Sequence, residues 1–390
     1  MASSITTNTY HVIRNATRKV ARGLHSTHSS RKGNSGPRSC GQRFDATPLF
    51  CLSTLFLYGL PVLCFKNSAM ESPGAARWHL PWADKTRRAM PFSSAGQAKR
   101  ITLSVVLWPI LMSACLYVTW RGIESGRAGL FLNLAYLGLA GLLFALERMM
   151  PHERQWLQND RQMLPDLAHT LLTKGFSQIL ILIVVVTGIP EIVAAEGGSL
   201  WPNHWPVLPQ ILLGLLIAEV GLYTAHRVAH TWPLLWRFHA VHHSVTRLWF
   251  FNTGRFHLVD ALFSILLSQS LLFLAGAPAE IFVWVAAITI YVGLLTHCNV
   301  EMRLGPLNFL INTPVLHRWH HSRDPREGDR NFGENLMLFD LLLGTFFCPA
   351  RRPPVDIGID GDMPASFGGQ LLAPFNGSML TRARQPSPAA

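Results

Sequence analysis

The stretch LPQILLGLLIAEVGLYTAHRVAHTWPLLWRFHAVHH, residues 208–243, decides how this chain is read. An apolar run at 208–225 leads directly into His226-Arg-Val-Ala-His230, then past Pro233 into His239-Ala-Val-His242-His243. About 20 apolar residues cross a bilayer's hydrocarbon core, and backbone in lipid must satisfy its own hydrogen bonds, so the run is a helix. Histidines three or four residues apart share one helix face, which lets each box aim its ring nitrogens at one point. A third box, His317-Arg-Trp-His320-His321, lies far along the chain. The three windows hold eight of the 17 histidines. So dense a set of neutral nitrogen donors has few uses apart from binding a transition metal.

The rest of the composition agrees with a membrane setting. Of 390 residues, 49% are hydrophobic and only 14% charged, where a soluble globular chain carries about 25% charged residues. The net charge of +12 does not mean nucleic acid: Lys and Arg gather in loops between apolar runs, and no recognition motif accompanies them. The six cysteines form no CxxC pair, so neither a disulfide framework nor a zinc knuckle is expected. Cys298, next to His297, reads as a small buried thiol.

Apolar runs lie at about 101–120, 129–147, 176–195, 208–225, 259–276 and 279–296, giving an expectation of about six transmembrane helices. The connections near 196–208 and 276–279 have no Lys or Arg, whereas 148–174, 227–255 and the residues from 297 onward have many. Alternating the spans through that pattern puts all three boxes on the cytosolic side, of a bacterial inner membrane or of the endoplasmic reticulum. Only the loop at 121–128, with Arg121 and Arg127, is discordant. Residues 1–95 read as a basic extension: disorder, a targeting segment, or sequence upstream of a start at Met70 or Met90. Residues 96–207 read as N-terminal transmembrane helices, 208–350 as the catalytic domain, and 351–390, rich in Pro and Gly, as a loose tail.

Eight nitrogens exceed what one metal needs and suit two. His257, before the 259–276 run, and His297, after the 279–296 run, fall in the same plane and could extend the shell to ten. Imidazole alone does not choose among zinc, copper, iron and nickel. A zinc-protease motif needs Glu after its first histidine, and Arg227 stands there. The carboxylate di-iron bundle needs Glu-x-x-His, which is absent from the chain. Carboxylates are therefore expected behind the imidazoles, orienting them. The candidates are Glu219, on the His226 helix face, and Asp260, three residues after His257. Trp249-Phe250-Phe251 reads as an interfacial aromatic belt, with the lining of a lipid's path to the metal as the alternative. Trp319 reads as packing, and Arg227, Arg247 and Arg318 as contacts to phospholipid headgroups or a reductase or, equally, as ordinary loop charge.

The three boxes, in this order and separation, resemble the fatty acid hydroxylase and sterol desaturase superfamily of membrane oxygenases. Supporting matches are Asn252-x-x-Arg255-x-His257, His297-x-Asn299, Asn312-x-Pro314, Asn331-Phe-Gly333, Asp340 and Gly344-Thr345. The resemblance covers roughly 210–347. It implies an all-α integral membrane protein with a cytosolic helical cap carrying the boxes, and Asn299 and Asn331 as supports of the ligands. It also implies two iron ions on the box histidines, with O2 as co-substrate. No separate catalytic side chain is assigned, since the reacting oxygen sits on metal. No nucleotide-binding Gly-rich turn and no cytochrome b5 domain is visible, so electrons come from an external cytochrome b5, ferredoxin or flavoprotein reductase. The substrate expected is a membrane lipid such as a fatty acyl chain, and the reaction hydroxylation. The alternatives are a sterol C-5 desaturase or C-4 methyl oxidase, and a non-catalytic haem or metal membrane protein. Haem is disfavoured by histidines gathered at span ends, and transport by ligands far from the bilayer midplane.

Overall fold

The computed structural model describes residues 94–187 and 200–376, which form helices joined by irregular segments with no β-strand among them. Four helices are long and apolar enough to cross a membrane. They lie within α1 (Ser94–Glu124), α2 (Ala128–Met149), α4 (Val207–Thr231) and α7 (Ala279–His297). These match the runs expected at 101–120, 129–147, 208–225 and 279–296. Helix α3 (Met163–Thr187) starts well before the expected 176–195 run, whose end lies outside the described residues.

The run at 259–276 forms α6 (Leu258–Leu274), only 17 residues long. At 1.5 Å per residue that is about 26 Å, short of a roughly 30 Å hydrocarbon core. Its role is to flank α4. A side chain on Gly221 would put its Cβ 2.5 Å from the Ser268 backbone, so glycine is what lets these two helices touch.

Helix α7 is apolar on every side because it is covered on every side. Tyr291, Leu294 and Leu295 pack with Trp108 and Leu111 of α1 and Leu139 and Leu143 of α2. Ile281, Phe282 and Val285 pack with Ile211 and Ala218 of α4 and Leu272 of α6. A buried Thr119 Oγ1–Tyr291 hydroxyl hydrogen bond of 2.7 Å pins α1 to α7. Outward residues such as Ile110, Leu137 and Leu212 stay about 60% exposed, the surface a bilayer would cover (58%, 64% and 58%).

Three expectations are corrected. Trp249 and Phe250 are not an interfacial belt: both are buried in the core, and the Trp249 indole N–H points to Asp166. Their place follows from Glu147, a buried carboxylate that accepts the Phe250 N–H at 2.8 Å. Arg247 and Arg318 are buried rather than loose loop charge. Arg318 donates to the Cys298 and Val300 carbonyls, and Arg247 to Asp160, the Trp156 carbonyl and the Gln158 carbonyl. The tail is not loose over 351–376. Ile357 is fully buried with Trp156, Val245 and Leu248, and Gln370 in α11 (Phe367–Leu372) bonds His169 of α3 at 3.0 Å. Pro and Gly there mark irregular backbone, which is a different property from mobility. Trp319, by contrast, is wholly buried, as packing requires.

Candidate metal centre

His226 and His230 occupy the last turns of α4, one turn apart on one face. Pro233 starts α5 (Pro233–His243) at its first position, where a missing N–H does no harm, and the short helix delivers His239, His242 and His243. His297 ends α7. His317 and His320 lie on α8 (Pro314–His320), with His321 as its C-cap. All these helix ends meet on one side of the molecule.

There the rings form two groups. His226, His230, His239, His243 and His320 make one, and His242, His297, His317 and His321 the other; within each, the ligand atoms lie within 4.8 Å of one another. All nine rings are buried. The groups adjoin where His243 stacks on His321, centroids 4.4 Å apart. Burial, with neighbouring imidazoles adding to it, holds His242, His243, His317 and His321 well below the usual histidine pKa. At neutral pH these rings are uncharged.

Their tautomers are set from behind. His226 donates Nδ1–H to the Phe332 carbonyl at 2.9 Å, and His320 to the Arg330 carbonyl at 2.8 Å. Nδ1 of His239 meets the buried Asp260 carboxylate at 2.8 Å, and that of His230 meets Asp329 at 3.0 Å. The Asn252 amide N–H binds the Arg247 carbonyl, which turns its oxygen toward Nδ1 of His297 at 3.0 Å. With Nδ1 carrying the proton, each of these five rings turns an Nε2 lone pair inward.

Those lone pairs crowd. The Nε2 atoms of His297 and His317 lie 2.7 Å apart, and that of His243 lies 3.0 Å from His230 and 3.1 Å from His320. Nε2 of His226 and of His239 is buried with no hydrogen-bond partner at all. A buried lone pair without a donor is costly, and converging ones repel. A cation among them relieves both penalties, so the residues present fit a pair of metal ions. Haem takes one or two axial side chains and has no use for four or five converging rings.

Of the ten histidines expected as ligands, nine gather and His257 does not. It caps α6 instead: Nδ1 accepts the Val259 N–H at 3.1 Å, and Nε2 faces the Leu371 carbonyl at 3.2 Å. A polar residue just before a helix serves as a cap, and that role competed successfully. Cys298 is fully buried and outside both groups.

Asp260 stands directly behind a ring, as expected, but Glu219, Asn331 and Asn299 act at one remove. Glu219 accepts the backbone N–H of Glu334 at 2.6 Å and of Asn335 at 3.1 Å. Asn331, at φ 56, binds the Leu316 and Phe347 carbonyls. Both hold the 329–335 loop, which supplies Asp329 and the Arg330 and Phe332 carbonyls. Gly333 is required there because a Cβ would meet the Leu336 carbonyl oxygen at 2.2 Å. Asn299 binds Glu153 backbone on both sides and gives its own N–H to Glu147. Asp329 and Glu147 were missed by sequence reading: neither falls at a telling spacing from a box.

Comparison with known proteins agrees with this geometry. The fatty acid hydroxylase family profile matches residues 211–345, the segment that carries all nine gathered histidines. Ornithine lipid hydroxylase OlsE of Rhizobium tropici is 47% identical over 279 residues, 70% of this chain and 84% of that protein. Alkylglycerol monooxygenases are more distant: those of zebrafish (Danio rerio) and human are 34% and 31% identical over 37% of this chain. The chain spans only about a third of those two proteins, 31% and 32%. No solved structure matches the chain. The histidine geometry and the likeness to a lipid hydroxylase over 84% of its length lead to one conclusion: the chain belongs to the fatty acid hydroxylase family.

Proposed function

We propose that this chain hydroxylates an unactivated carbon of a membrane lipid, with two irons held by the nine gathered histidines. One observation carries the reading: two buried groups of imidazoles each bring their ring nitrogens within 4.8 Å of one another, and Nε2 of His226 and of His239 has no hydrogen-bond partner. When bound by these histidines, two irons would supply the chemistry of reductive dioxygen activation for oxygenating a C–H bond. The balance is R–H + O2 + 2 electrons + 2 protons giving R–OH + H2O, with the electrons from a separate cytochrome b5, ferredoxin or flavoprotein.

The chain's own residues orient, shield and supply protons. Asp260, Asp329, Asn252 and the two loop carbonyls hold the Nδ1 protons, so each ring keeps its Nε2 toward metal. Phe332 beside His226 and His230, and Phe256 stacked on His242, keep bulk water from the rings. A cavity of about 30 Å³ against His230, His243 and His320 opens past Ser322, Arg323 and Asp329. It is room for a single water and gives protons a polar way in. The likeness to the Rhizobium tropici enzyme supports an ornithine-containing lipid as substrate, and the basic loops support a cytosolic site.

The test is lipid mass spectrometry on a host that makes ornithine lipids, with and without the full chain. The reading expects a lipid pool heavier by one oxygen only when the chain and O2 are both present. An unchanged lipid profile in cells that hold iron-loaded protein contradicts it.

A further inference from the structure

On the histidine side of the molecule, but away from the rings, a groove of about 640 Å³ opens where α1 begins and α2 ends. Its lining is Arg100, Arg148 and Arg154 together with Leu103, Met149 and Leu157, and among the described residues no acidic one lines it. Arg100 and Arg148 stand at the ends of two membrane-crossing helices, so the groove lies at the rim of the bilayer. Arg148 is held in place: it binds the Phe144 carbonyl at 2.7 Å and lies over that ring. The groove's backbone edge is rigid too. Pro151 bridges Val300, and the Glu301 N–H binds the Met150 carbonyl at 2.9 Å.

The lining selects an amphiphile. Guanidinium groups suit phosphate because their planar fork matches its oxygens. A free phosphate, however, would leave Leu103, Met149 and Leu157 in water. Basic pockets between transmembrane helices suit anionic headgroups, and an open groove leaves the acyl chains of such a lipid free to stay in the bilayer. We propose that this groove binds the headgroup of an anionic phospholipid, whose acyl chains continue along the outer faces of α1 and α2. The site is separate from the metal centre and does not rest on the reading of it.

The experiment is native mass spectrometry of the full chain released from micelles that hold equal phosphatidylglycerol and phosphatidylcholine. Retained phosphatidylglycerol in clear excess is the expected result. Replacing the lining arginines together (R100Q, R148Q and R154Q) should weaken that retention about a hundredfold, some fivefold per arginine. Arg121→Gln with Arg127→Gln, at the opposite ends of the same helices, should leave it unchanged. If the triple variant does not fold, Arg154→Gln alone should lower retention several-fold. Equal retention of both lipids by the wild type overturns the proposal. So does loss of phosphatidylglycerol on adding millimolar inorganic phosphate, which would mark a simple anion site, and so does an equal loss in the Arg121/Arg127 variant.

Discussion

In the five-histidine group four rings hand their Nδ1 protons to the protein: two meet the carboxylates of Asp260 and Asp329, and His226, bonded to the Phe332 carbonyl, also lies 3.2 Å from the Glu334 carboxylate. In the four-histidine group only His297 does so, and its partner is the neutral Asn252 amide. Nδ1 of His242, His317 and His321 is buried without a partner. The first group is backed by a loop made for it, 329–335; the second is held by packing, such as the Phe256 ring 4.2 Å from His242. Carboxylates behind imidazoles fix ring orientation and raise ligand basicity. The five-histidine group is therefore expected to hold a metal more tightly than the four-histidine group.

The bluntest way to break that comparison is to remove a ligand from each side. His320→Ala should abolish hydroxylation and at least halve bound iron, while His317→Ala should abolish hydroxylation yet leave the tight site loaded. His204→Ala, on an exposed residue outside both groups, should change neither; metal analysis beside a product assay reads all three. A finer cut removes only support. Asp260→Asn should weaken the tighter site about 10- to 100-fold in a chelator competition. Asn252→Ala should weaken the looser site by about tenfold or less, since an amide adds no charge. Equal losses in the two variants would erase the proposed difference.

Acid should act on the metal-free chain through its buried neutral histidines. His152, bonded to Glu301 at 2.8 Å, is pushed down to about 4, chiefly by burial. His242, His317 and His321 are depressed as well. The unfolded chain takes up these protons near pH 6.5 and the folded chain does not, so the contribution of these histidines is constant above that pH and is lost from about 6.5 toward 4. In a denaturation series from pH 8 to pH 4, His152→Gln should reduce the fall of the midpoint below about 6.5. The smallest expected effect is Phe256→Leu. It removes a stacked ring worth about 0.5–1.5 kcal/mol and should loosen the four-histidine site alone, by about 2- to 10-fold.

The boxes were legible in the sequence because helical spacing translates directly into a shared face. The pairing of rings between groups was not. His242 and His243 are chain neighbours yet serve different groups, since adjacent residues on a helix point about 100° apart. Four spans were legible from length and hydropathy, while the run at 259–276 forms only the 17-residue α6; an apolar run reads alike whether it faces lipid or a neighbouring helix. Asp260 could be found from its spacing to His257, though the ring it serves is His239. Glu147, Asp329 and the buried Arg318 could not: each acts through backbone or partners far along the chain, and no local periodicity encodes that. The tail at 351–376 misled for a related reason. Pro and Gly report the absence of helix, while the burial of Ile357 depends on Trp156 and Val245.

The most direct test of the whole account is to count metal in the purified full-length protein and record its optical spectrum. The account predicts iron at about two per chain, no haem Soret band, and release in two steps under a chelator, the first step unaffected by Asp260→Asn. One metal per chain, a Soret band, or an iron-free protein that still hydroxylates lipid would contradict it.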